Sequence, residues 1–256
     1  MRVQDLFDLS GRTAIVTGGG SGIGRQMAEA LAELGANIVL CARKVERCEQ
    51  AAAELEELGV KAIGLRCDVR EPGEVAAVVD RTLEELGGID VLVNNAGTSW
   101  GAPAEETPLE GWQKVVDVNL TGVFLFAQAA GRVMLERGSG SIVNIASVAG
   151  LHGSPAGRMD AVAYNAGKGG VIAFTRDLAR KWAGRGVRVN AIAPGWFPSD
   201  MSKVLLDRFG EEFVTQVPLG RFGGPDDLKG AVGFLASPAS AYVTGHTLVV
   251  DGGQIA

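Results

Sequence analysis

Positive charge is not in excess in this chain: 24 Lys and Arg stand against 30 Asp and Glu, a net charge of −6. No run of Lys or Arg interrupts that balance, and binding nucleic acid draws on a basic surface, so nucleic acid is not an expected partner. Cysteine is scarce. Cys41, Cys48 and Cys67 form neither a CxxC pair nor a metal-ligand spacing, so free thiols are expected, with no disulfide framework and no metal. The N-terminal run Met1-Arg2-Val3-Gln4-Asp5-Leu6-Phe7-Asp8 lacks the apolar core of a signal peptide. No later stretch reads as long and apolar enough to span a bilayer, so a cytoplasmic protein with no membrane partner is expected. What remains is 256 residues, 46% hydrophobic and 21% charged, enough for one large domain with a well-buried core.

Short β-branched runs alternate with longer helical patterns. Thr13-Ala14-Ile15-Val16-Thr17 reads as a buried first strand, followed by a helix over 22–34 with Ile23, Met27, Ala30, Leu31 and Leu34 on one face. Further strands are expected at 37–41, 62–67, 90–94, 141–147, 188–193 and 247–250, and helices at 44–58, 72–87, 109–137, 160–184 and 225–236. Continuous apolar strands separated by helices specify an α/β fold, a Rossmann-type doubly wound parallel sheet of about seven strands with helices on both faces. No repeat, linker or low-complexity tract divides the chain, so 1–256 reads as a single domain. Between 193 and 225 the pattern shows no strand, and a connection that long points to a lid or binding loop over about 195–224.

The first strand runs into Thr17-Gly18-Gly19-Gly20-Ser21-Gly22-Ile23-Gly24 and then the helix. Strand, glycine-rich turn and helix N-terminus together make an anion site, with free N–H groups aimed at a phosphate that glycine lets approach. The spacing is Gly18-xxx-Gly22-x-Gly24 rather than GxGxxG, and its placement favours a nucleotide over a plain bend. NAD-preferring folds carry an acid at the end of the second strand. Here that strand ends in Ala42-Arg43-Lys44. Arg43 can pair bidentately with a 2′-phosphate and Lys44 can add charge, which selects NADP(H), with NAD(H) as the alternative.

Tyr164-Asn165-Ala166-Gly167-Lys168 opens a helical pattern, placing phenol and ammonium one turn apart on one face. A neighbouring cation lowers a phenol from its usual pKa of about 10, which suits Tyr164 to acid–base work on a carbonyl. Ser147 closes the fifth strand at the sheet edge where ligands bind, and its hydroxyl can donate to a substrate oxygen.

With these motifs in order, the chain resembles the short-chain dehydrogenase/reductase family from about Leu9 to Gly253. The matching set is Thr17–Gly24, Asp68-Val69, Asn94-Asn95-Ala96-Gly97, Asn119, Ser147, Tyr164 with Lys168, Pro194-Gly195 and Asp251-Gly252-Gly253. The resemblance implies a catalytic tetrad of Asn119, Ser147, Tyr164 and Lys168, with Lys168 also holding the nicotinamide ribose and Asn119 supporting a water relay. It implies that Gly18, Ser21, Gly22, Ile23 and Gly24 cradle the cofactor, that Asp68 and Val69 flank adenine, that Asn95, Ala96 and Gly97 line the cofactor floor, and that Pro194 and Gly195 lie against nicotinamide. Ser21 stands where many NADP enzymes of this type carry a second basic residue. A homotetramer or homodimer through 109–137, 160–184 and 247–250 is implied as well.

Ser147 and Tyr164 stand further apart than the family usually shows, and the extra segment Leu151–Met159 reads as an extension of the substrate-pocket wall. Trp100, His152, Trp196 and Phe197 are the candidate substrate contacts. With Met201 they suit an acyl chain or another lipophilic ketone, in the manner of a 3-oxoacyl reductase. Arg158, Lys203 and Arg208 are candidates for the polar contacts of a sugar acid, in the manner of a gluconate 5-dehydrogenase. A reading from another class is a non-catalytic, nucleotide-binding regulatory protein. The presence of Ser147, Tyr164 and Lys168 together argues for an enzyme acting on a small carbonyl or alcohol.

Overall fold

A computed structural model describes residues 1–154 and 157–256. Seven strands form one parallel sheet in the order β3-β2-β1-β4-β5-β6-β7. They are β1 (Thr13–Thr17), β2 (Asn37–Ala42), β3 (Ala62–Arg66), β4 (Val91–Asn94), β5 (Gly140–Ile145), β6 (Val187–Pro194) and β7 (Thr247–Val250). The connecting helices are α1 (Gly22–Glu33), α2 (Val45–Glu56), α3 (Pro72–Leu86), α4 (Leu109–Val116), α5 (Gly122–Arg137), α6 (Val162–Trp182), α7 (Lys203–Thr215) and α8 (Lys229–Ala236). The chain winds outward from β1 to β3 on one side and from β4 to β7 on the other. The crevice at that reversal, at the carboxyl ends of β1 and β4, is where such sheets bind ligands.

Strand pleating sends alternate residues to opposite faces, and both faces are apolar. Ala14 and Val16 of β1 pack with Met27, Leu31 and Leu235 from α1 and α8, whereas Ile15 packs with Val78, Phe126 and Met134 from α3 and α5. Each large side chain buried this way contributes about 1.5–3 kcal/mol, and the pairing of both faces pins the strand register. Gly87 and Gly138, with φ of 76° and 69°, end α3 and α5 in the left-handed conformation that stops a helix.

Four local features differ from the sequence expectation. Residues 203–215, within the expected lid, form α7, a helix that the expected elements do not include. The helix expected over 109–137 contains a π-helical turn at Asp117–Thr121, between α4 and α5. β5 ends at Ile145, so Ser147 lies just beyond it, capping a short 3₁₀ turn at Val148–Gly150. Lastly, the expectation of no stretch apolar enough to cross a bilayer is corrected: by length and composition the 29 residues Leu109–Arg137 qualify. That apolarity has a partner inside the molecule, since Phe126, Ala127, Ala130 and Met134 are fully buried in the core beneath the sheet.

Candidate active site

The glycine-rich turn is tied to the neighbouring strand rather than left to its own conformation. Gly18 sits at φ 65° and Gly22 at φ 54°, values that side-chain-bearing residues rarely adopt. The Asn95 side-chain amide donates to the carbonyls of Thr17 and Gly18 at 2.9 and 3.2 Å. In return the Thr17 hydroxyl accepts from the backbone N–H groups of Asn95 and Ala96 at 2.9 and 3.0 Å. A Cβ on Gly24 would collide with the Asn95 amide and the Gly18 carbonyl. Glycine at 18 and 24 is therefore what lets the turn and the Asn95 side chain pack this closely.

Ser147, Tyr164 and Lys168 converge from β5 and α6. The Ser147 hydroxyl accepts from the Ala149 N–H at 3.1 Å, which fixes its rotamer at the mouth of the short turn. Lys168 is buried, with Nζ donating to the Ile145 carbonyl at 2.6 Å and standing 5.7 Å from the centroid of the Tyr164 ring. Burial pushes the Lys168 ammonium down to about 8, because the charged form loses its hydration. Burial likewise pushes the Tyr164 phenol above the ordinary tyrosine value, opposed by a hydrogen bond with Ser147. This departs from the expectation that Lys168 lowers the phenol: in the chain by itself burial dominates, and the opposing influence comes from Ser147.

One cavity of about 810 Å³ joins these groups to the glycine turn. All the expected cofactor residues line it: Gly18, Ser21, Gly22, Ile23, Gly24, Arg43, Lys44, Asp68, Val69, Asn95, Ala96, Gly97, Tyr164, Lys168, Pro194 and Gly195. Ser147, His152, Trp196 and Phe197 line it as well. Asp68 is committed to Arg70 by bonds as short as 2.6 Å, which holds its carboxyl below the usual range, with Arg43 adding to the effect.

Two expected site residues stand elsewhere. Trp100 lies outside the cavity lining: its ring covers Gly111 of α4, and Lys114 Nζ sits 5.3 Å from the ring centroid. It packs α4 against the loop after β4. Asn119 is fully buried in the π-helical turn, with its side-chain oxygen accepting from Thr98 N at 2.8 Å and its amide donating to Thr98 O at 2.9 Å. That amide fixes the loop after β4 and does not line the cavity. Of the polar candidates, Lys203 pairs with Asp207 and Arg208 packs on Phe209, both away from the lining, whereas Arg158 lines the cavity. In the segment Leu151–Met159, Pro155 and Ala156 lie outside the described residues.

Sequence reasoning missed Arg47. It lines the cavity one helical turn beyond Arg43, and its Nη1 donates to Asp200 Oδ2 at 2.9 Å. The spacing Arg43-xxx-Arg47 at the start of α2 was the available signal. Through Asp200, with Ser199 over Gly22 and Met201 over Gly97, the segment before α7 lies across the cofactor-sized part of the cavity.

A family model described as Enoyl-(Acyl carrier protein) reductase matches residues 18–254. The 3-oxoacyl-[acyl-carrier-protein] reductase of Synechocystis sp. (strain PCC 6803) is 42% identical over 96% of this chain and 98% of its own length. A short-chain type dehydrogenase/reductase from Mycobacterium marinum superposes with a TM-score of 0.95 at 39% identity, covering 99% of each chain. The chain belongs to the short-chain dehydrogenase/reductase family. A short-chain dehydrogenase/reductase is an oxidoreductase acting between C–OH and C=O, and the sheet and cavity above are its framework. Another member, the gluconate 5-dehydrogenase of Burkholderia cenocepacia J2315 solved in complex with NADP and tartrate, superposes with a TM-score of 0.93 at 40% identity over 99% of this chain and 98% of that one.

Proposed function

We propose that this chain reduces a ketone to a secondary alcohol with NADPH, using Tyr164 as the acid. The observation that carries the reading is the joining, in one cavity, of Ser147, Tyr164 and Lys168 to a distal set of cations, Arg43, Lys44 and Arg47. The residues suit a dinucleotide: the glycine turn and the α1 N-terminus line the cavity together with the distal cations, and the acid at the distal end, Asp68, is already paired with Arg70.

In this reading the backbone at Ser21–Gly24 receives the pyrophosphate on the α1 N-terminus, and Arg43 and Lys44 take the 2′-phosphate. NADPH supplies the hydride when bound. Ser147 donates to the substrate oxygen and orients it, Tyr164 gives the proton to that oxygen, and Lys168 holds positive charge beside the phenol as the proton leaves. Asn119 acts as a positioning residue through Thr98.

The test is NADPH oxidation by purified protein against 3-oxoacyl thioesters, β-ketoesters and 5-ketogluconate, with NADH in parallel. Turnover of at least one ketone with NADPH preferred is expected. NADPH binding without turnover of any ketone would move the protein to the non-catalytic reading.

The reading carries a cytoplasmic location and a homotetramer or homodimer. Phe124, Val162 and Val249 are exposed by 43%, 40% and 37% on α5, α6 and β7, and Phe124 meets Phe174 edge-on at 6.4 Å. These are apolar faces suited to a second copy. Light scattering should report an oligomer, and a monomer at micromolar concentration would remove this part.

A further inference from the structure

The substrate end of the cavity lies between the segment after Ser147 and the helix α7. Its lining is mainly apolar: Met159, Ala161, Trp196, Met201, Leu205 and Phe213. Trp196 stacks on Phe213 with ring centroids 4.6 Å apart and planes 11° from parallel, a stiff apolar wall. Among the described residues, one arginine or lysine lines this end, Arg158; Arg43, Lys44 and Arg47 belong to the distal end and Lys168 to the reaction centre.

Arg158 is not presented to the chamber as a lone charge. Its Nε donates to Glu212 Oε1 on α7 at 2.7 Å, and its guanidinium carbon stands 5.3 Å from the Phe209 ring centroid on the same helix. A guanidinium at the rim of an apolar chamber attracts a substrate carboxylate, and with the Arg158 side chain 42% exposed, water screens part of that attraction. A carboxylate already in contact with it cancels most of that attraction, since an incoming anion meets both charges at similar range. The incoming anion would also give up hydration to reach a pair with no net charge.

We infer that Glu212 is a specificity-determining residue: by neutralising Arg158 it sets the chamber to accept neutral, apolar ketones and to reject keto acids. The inference rests on the ketone-reduction reading and names its substrate class. It separates this chain from a relative such as the gluconate 5-dehydrogenase of B. cenocepacia, whose substrate is named for an acid.

The experiment compares 4-oxopentanoate with its ethyl ester, a pair differing in charge at the end remote from the ketone. Wild type should favour the ester in kcat/KM. Glu212→Gln keeps an oxygen for Arg158 Nε but removes the charge, and should raise the acid-to-ester ratio about two- to fivefold. Glu211→Gln, the same charge change at an exposed neighbour, should leave the ratio where it was. Adding Arg158→Gln to Glu212→Gln should erase the gain. A second readout needs no turnover: quenching of tryptophan fluorescence by 4-oxopentanoate should give a Kd about two- to fivefold tighter in Glu212→Gln than in wild type. An unchanged ratio and unchanged Kd in Glu212→Gln would overturn the inference, as would a wild-type preference for the acid. Absence of turnover of both compounds in every variant leaves the ketone-reduction reading to its own substrate panel, and the Kd comparison alone then decides the role of Glu212.

Discussion

Tyr164→Phe is expected to lose reductase activity by a factor of about 10²–10⁴, the usual worth of a positioned general acid, while the Kd for NADPH changes little. Both halves follow from where the phenol sits. Its hydroxyl shares the cavity with Ser147 and Lys168, so removing it deletes the proposed proton donor. The distal cations and the glycine turn lie elsewhere in the cavity and stay intact. NADPH fluorescence titration and initial rates on one preparation check the two together, and retained turnover would dismiss Tyr164 as the acid.

The pH profile of the wild type carries the same argument further. Lys168, pushed down to about 8, keeps its charge below that value and loses it above. Tyr164, pushed up, stays protonated through the same range. Reduction needs the protonated phenol and the charged lysine, so kcat/KM should be level on the acid side and fall as pH rises through about 8. The loss is assigned to Lys168, and an activity that instead climbed through this window would contradict that assignment.

Arg43→Asp is the second large effect. A bidentate, charge-assisted contact is worth about 1.5–3 kcal/mol, a factor of about 10–150. The substitution removes that contact, adds repulsion toward a 2′-phosphate, and supplies the acid that suits a ribose hydroxyl. The NADPH-to-NADH ratio of kcat/KM should therefore fall by about 10²–10³. An unchanged ratio would place the 2′-phosphate on Lys44 and Arg47 instead.

The sheet was legible because its strands are buried on both faces. Runs such as Thr13–Thr17 are apolar or hydrogen-bonded throughout, and little else in a soluble chain looks like that. Ser147, Tyr164 and Lys168 were legible as neighbours because each sits near a strand end or on a helix face whose position the pattern already sets. α7 was not: Gly210 interrupts it, and among its residues only Phe213 is buried, so no broad apolar face marks it as an element of the core. Trp100 misled because an aromatic after a strand end serves a helix contact as well as a pocket wall. The π-helical turn at Asp117–Thr121 arises from one extra residue per turn within an otherwise continuous helical pattern, which periodicity over a long window averages away. Arg158 with Glu212 and Arg47 with Asp200 are long-range pairs, and no local rule joins residues so far apart in the chain.

Several polar side chains at the centre are held by main chain: Lys168 by the Ile145 carbonyl, Asn119 by both backbone atoms of Thr98, and Asn95 by the carbonyls of Thr17 and Gly18. Backbone anchors do not mutate. A lineage carrying this arrangement can replace the walls around the ketone one side chain at a time without displacing the groups that handle the proton. A 3-oxoacyl-[acyl-carrier-protein] reductase and a gluconate 5-dehydrogenase share 42% and 40% identity with this chain, and a frame anchored this way leaves the aromatic residues and ion pairs of the segment over the cavity free to vary.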